Sequence, residues 1–171
     1  ICPTRIKVVG NIIVDAIRFI GEQEIDRHAR YAIATLHRNE NIGSGKTLKL
    51  LNAISDGARA LDLPVHFIEM PRVKQLGLRY PDNFIVRPPC GFGDFLQLET
   101  NATIEFTDSG TNQEVATYFG IPCVVIRTST ERPHTYNSGR TVPYNGDIHG
   151  CVTLAMAGKR SDIAEFGDGN T

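Results

Sequence analysis

The sequence predicts an α/β fold in one domain, with a parallel sheet covered by helices. Three observations carry this. Short apolar runs rich in β-branched residues alternate with longer stretches of helical period. Their spacing is that of β-α-β units, which join parallel strands by right-handed crossovers. No internal repeat or low-complexity linker interrupts the pattern.

The first predicted strand is IKVVG at 6–10, followed by a helix from about Asn11 with Ile13, Ala16, Ile17 and Ile20 on one face. YAIATL at 31–36 is the next strand. A helix over 47–61 then aligns Leu48, Leu51, Ile54 and Ala58. Further strands are predicted at 65–70, 84–88, 102–106 and 122–127. Between them fall helical stretches at 71–77, 93–100 and 111–119, and a last helix covers 147–157.

Composition narrows the ligand classes. The chain of 171 residues has 18 basic and 19 acidic side chains, a formal net charge of −1. Without a large positive field, neither nucleic acid nor an anionic membrane is an expected partner, and any bound anion must be gripped locally. No apolar run approaches a membrane span. The four cysteines, Cys2, Cys90, Cys123 and Cys151, form no paired motif, so no zinc site is expected, and free thiols suit a reducing cytosol. A chain that opens on Ile1 is expected to be a fragment.

In open parallel sheets ligands meet the carboxyl ends of the strands, beside helix N-termini. This directs attention to 37–47, 70–72, 88–95, 107–114 and 127–134. The Gly45-Lys46-Thr47 triplet invites a phosphate-loop reading, but Glu40 stands where that pattern requires its first glycine. The stretch is expected to be a turn, with Ser44 or Thr47 capping the next helix. His37 and Arg38 end a strand on the mapped face. An imidazole there can transfer a proton or contact a phosphate, or be structural. In FTDSGTNQEV, Ser109 and Gly110 open a helix whose amides suit a diphosphate, the alternative being a plain Asp/Ser cap. Arg132 lies just after the next strand and suits phosphate oxygens or a surface ion pair. Phe92 and Phe95, in a Gly/Pro-rich loop, can stack on a base or fill a core.

Taken in order, VVGNIIVDAI, ATLHRNEN, GDFLQL, TDSGTNQEV with GIPCVVIRTSTERP, and FGDGNT resemble the non-hydrolysing UDP-N-acetylglucosamine 2-epimerase family along nearly the whole chain. The resemblance implies a three-layer Rossmann-like sheet, one half of a two-domain GT-B-type architecture. It implies a cytoplasmic homodimer without metal or redox cofactor, acting on a UDP-sugar. The implied reaction inverts C2 by eliminating UDP to a glycal and adding it back. Residues 1–171 would be the C-terminal UDP-binding domain, lacking the N-terminal catalytic domain and a final closing helix. His37 would support catalysis at the diphosphate, and Arg132 would favour charge on the departing UDP. Arg38, Ser109, Gly110, Thr111 and Glu114 would bind substrate, with Phe95 near the uridine. Alternatives are the donor domain of a GT-B glycosyltransferase or a degenerate, non-catalytic relative.

Three departures from the family pattern stand out. Thr111 replaces the second glycine of Ser-Gly-Gly. Val115 replaces the carboxylate that grips the ribose, losing charge-assisted bonds worth about 1.5–3 kcal/mol each. A Glu at 115 is therefore expected to restore affinity if the rest of the site is intact. Met70-Pro71-Arg72 replaces a histidine motif used for regulatory binding in some relatives, so that control is not expected.

Overall fold

The computed structural model describes residues 10–21, 26, 28–159 and 166. The strand expected at 6–10, apart from Gly10, and most of FGDGNT lie outside these residues, as does Cys2. Helix α1, Ile12–Ile20, begins where Asn11 caps it by accepting from the Ile13 amide. There follow β1 Ala32–Thr35, α2 Ser44–Arg59, β2 Val65–Ile68, α3 Pro71–Lys74, β3 Phe84–Arg87 and α4 Phe92–Thr100. The second half supplies β4 Ile104–Thr107, α5 Gly110–Phe119, β5 Cys123–Val125, β6 Thr141–Pro143 and α6 Ile148–Ala157.

Among the described residues the sheet has six strands, all parallel, in the order β3-β2-β1-β4-β5-β6. The chain grows outward from β1 through β2 to β3, then crosses back to lay β4 on β1's other side. That seam is a topological switch point, where ligand crevices open in doubly wound sheets. Strands β1 and β4 are buried along their whole length, as expected of central strands covered on both faces.

On one face α2 and α6 pack Leu51, Ile54, Val152 and Ala155 onto Ala34, Phe67 and Phe106. The helices approach closely because position 57 is glycine: a Cβ there would meet Ile148 Cγ1 at 2.8 Å. On the other face α1, α4 and α5 join through Ile17, Leu96 and Val115.

Two expectations shift. The helix expected from residue 47 starts at Ser44, with Gly43 at the cap position and no side-chain cap. Thr47 instead donates to the Asn41 carbonyl at 2.7 Å and accepts from the Gly43 amide, while Lys46 reaches the Glu40 carbonyl. The strand β6 has no counterpart among the predicted strands, because Thr-Val-Pro is short and ends in a proline tolerated only at a sheet edge.

Two carboxyls, Glu99 on α4 and Glu105 on β4, are wholly buried. Burial raises both, Glu105 from 4.5 to about 7, and the charge of Glu105 adds to the rise at Glu99. Asn112 Nδ2 donates to Glu105 at 3.2 Å and, with the hydrogen bond from Glu99, offsets part of the rise that burial causes there. A carboxyl raised on folding stabilises the protein most below its unfolded pKa. That contribution declines from about pH 4.5 and is gone once the folded group ionises near 7, at about 1.4 kcal/mol per pH unit for one group. Chemical denaturation between pH 4.5 and 7.5 should show this decline, and Glu105→Gln should flatten it. An unchanged slope would refute the assignment of the decline to Glu105.

Candidate functional site

The loops after β1 and β4 meet over the switch point, and one side chain ties them. Asp108, fully buried, accepts from the His37 amide at 3.0 Å, the Arg38 amide at 3.0 Å and Asn41 Nδ2 at 3.0 Å. The His37 ring adds Nδ1 at 3.1 Å. Burial alone would raise the Asp108 carboxyl. The bonds from His37, Asn41 and the Arg38 amide outweigh it and hold the group below its usual value. With Nδ1–H committed to Asp108, the His37 Nε2 is the ring nitrogen left for a ligand.

His37 lines a pocket of about 280 Å³ with Thr35, Met70, Phe92, Phe95 and Asn112. The apolar rings form one wall and the strand-end hydroxyl and amide the floor, a composition suited to a small organic ligand. Phe95 is therefore in the same pocket as His37, although the two are far apart in sequence.

Ser109, Gly110 and Thr111 lie beside this pocket at the start of α5. The Ser109 hydroxyl caps the helix by accepting from the Asn112 amide at 3.3 Å. The amides of Gly110 and Thr111 are left without intrahelical acceptors, where the helix dipole favours an anion. Asp108, read from sequence as a possible cap, has the other role of anchoring His37.

Arg132 and Glu114 face each other, Arg132 Nε lying 2.8 Å from Glu114 Oε1, a close ion pair whose angle falls short of a hydrogen bond. Glu114 is thus committed to Arg132, and the pocket is lined by other residues. Arg38 reaches across to Glu131 at 2.9 Å. Val115 is 1% exposed and packed against Ile17 and Leu96, away from solvent. Sequence reasoning missed Asp108 as an anchor, Asn41 as its partner, and the Arg127–Glu131 pair. The signal for Asp108 was its place: a carboxylate one residue past a strand that neighbours the histidine-bearing strand.

Among the described residues, no group of three or more His, Cys, Asp or Glu side chains could hold a metal ion, and no helix is long and apolar enough to cross a membrane.

The chain is 32% identical over its whole length to a UDP-N-acetylglucosamine 2-epimerase of Methanococcus maripaludis, of which it covers 53%. It is 30% identical over 98% of its length to that of Methanocaldococcus jannaschii, covering 52%. The crystal structure of the Methanocaldococcus jannaschii UDP-GlcNAc 2-epimerase in complex with UDP-GlcNAc and UDP superposes with a TM-score of 0.84. It is 29% identical, matching 99% of this chain and 53% of that one. The chain thus spans about half the length of these relatives. The family profile described as UDP-N-acetylglucosamine 2-epimerase matches residues 1–171, end to end, and the chain belongs to that family.

Proposed function

We propose that this chain is the UDP-binding half of a UDP-sugar 2-epimerase, its residues 1–171 forming the C-terminal domain of the two-domain enzyme. The observation that carries this is the convergence at the β1/β4 seam. Asp108-anchored His37, the Phe95 pocket and the open amides of α5 stand side by side there. A nucleoside diphosphate has the matching parts, a flat base for the aromatic wall and a diphosphate for the helix end.

In this reading C2 gives up its proton and UDP departs from C1, leaving a glycal; a proton is then returned to the other face of C2 as UDP adds back to C1. The carboxylates that handle C2 belong to the family's other domain, and this chain's residues hold the leaving group. His37 presents Nε2 to the diphosphate, as donor or proton carrier, with its orientation fixed from behind by Asp108. The α5 amides and Arg132 stabilise the negative charge that develops as the C1–O bond breaks. The full-length enzyme would work as a cytoplasmic homodimer on UDP-N-acetylglucosamine or a modified relative.

Titration calorimetry of the folded chain with UDP tests the binding half of this proposal. Heat fitting a dissociation constant below about 1 mM, equivalent to roughly 4 kcal/mol, is expected. No heat at millimolar UDP, with circular dichroism showing a folded domain, would overturn it.

A further inference from the structure

The start of α5 already carries an anion of the protein's own. Glu131 Oε1 accepts from Arg38 Nη2 at 2.9 Å, and Glu131 Oε2 lies 2.6 Å from Arg127 Nη2. A Cβ on Gly110 would lie 3.5 Å from Glu131 Oε1 and 3.7 Å from Arg127 Nη1. The carboxylate therefore stands over the first residue of α5, where the helix has open amides.

Arg127 supplies an independent observation. Its side chain is only 6% exposed, yet Nε and Nη1 have no partner among the described residues. A guanidinium buried with two donors unspent is unfavourable until an acceptor with several oxygens arrives. Glu131 can use only one edge of it. The same carboxylate is 48% exposed, so it can swing into water with little change in its own solvation. With Glu131 in place, the guanidiniums of Arg38, Arg127 and Arg132 face the carboxylates of Glu131 and Glu114. With Glu131 withdrawn they face Glu114 alone, and a polyanion restores the balance.

We infer that Glu131 is a resident counter-anion in the phosphate seat, exchanged for the incoming diphosphate, and that Arg127 is a phosphate-binding residue which the exchange exposes. This rests on the nucleotide-binding reading above and adds how the site is kept and opened. While the site is empty, Glu131 keeps Arg38 and Arg127 neutralised and pointed at the seat. On binding, the diphosphate takes over both arginines and the amides of Gly110 and Thr111. Hydrogen bonds from Arg127, the Glu131 backbone and Arg38 hold the Glu131 carboxyl down at about 2, so it competes as an anion at every pH where the enzyme would work.

The experiment titrates the full chain, Glu131→Gln and Arg127→Gln with inorganic pyrophosphate and, separately, with UDP. Removing the competitor should tighten pyrophosphate binding about threefold or more, whereas losing Arg127 should weaken both ligands about tenfold. Should Arg127→Gln fail to fold, Arg127→Lys replaces it; this keeps the charge, loses the fork, and should weaken pyrophosphate about threefold. Unchanged or weaker pyrophosphate binding by Glu131→Gln would overturn the exchange and make Glu131 a fixed scaffold for the arginines. Pyrophosphate binding that follows the expected order without UDP binding would support the exchange and refute the uridine reading. Binding of neither ligand by any folded form overturns both.

Discussion

Asp108→Asn should lower the unfolding free energy by about 3–5 kcal/mol, the range for removing one partner from a buried charged network. The native carboxylate accepts from two backbone amides, one side-chain amide and one imidazole, with no exposure to water. Asparagine keeps the shape but offers one acceptor oxygen and turns its own N–H groups toward donors. In a domain of this size the melting temperature should drop by roughly 10 °C. His37→Ala, at a half-exposed ring, should cost about 1 kcal/mol or less while also removing the ligand-facing nitrogen. Comparing the two by thermal denaturation separates anchoring from binding. Near-equal melting points would show that Asp108 is not the tie between the loops. The sign with pH follows the depressed carboxyl: its contribution is complete above about pH 4 and is lost on acidification through the folded value.

The second large effect reverses an expectation. The family pattern calls for a ribose-gripping carboxylate at 115, and from sequence its restoration should recover affinity. Here Val115 is 1% exposed between Ile17 and Leu96, at the junction of α1, α4 and α5. Val115→Glu should therefore destabilise by about 3–5 kcal/mol, or force the carboxyl to stay protonated, because the side chains packed around it, Ile17, Leu96, Ile13 and Phe119 among them, are apolar. UDP affinity should not improve. A variant as stable as the parent that binds UDP tightly would show that α1 and α4 part to let a carboxylate reach the ligand. In this chain valine at 115 closes the contact among α1, α4 and α5.

The central strands were readable from sequence because both of their faces are covered, so they appear as unbroken apolar runs such as YAIATL. Helix α3 is shorter than its apolar pattern suggests, with Pro71 opening it and Gly77, at φ 57°, among the turns beyond Lys74. At the candidate site, the strand-end rule directed attention to His37, Ser109 and Gly110, since that rule depends only on topology. What stayed hidden were partnerships between side chains distant in sequence. Asp108 passes for a helix cap because Asp and Ser serve equally there, and only the register of β1 beside β4 directs it to His37. Nothing in the local sequence marks Glu131, whose partners are Arg38 and Arg127.

The Asp108 tie also makes binding a report on completed topology. The amides of His37 and Arg38 donate to an acceptor 71 and 70 residues later in the chain. Neither the helix nor the strand beside them can supply that acceptor. These two amides should exchange with deuterium only when the seam between β1 and β4 opens, not when α2 or the loop frays, so their protection measures one cooperative event. During synthesis, a chain that has emerged only as far as α4 has its β1 and its histidine but no anchor and no anion seat. Affinity for a polyanion should therefore appear in one step, when β4 docks and α5 follows it.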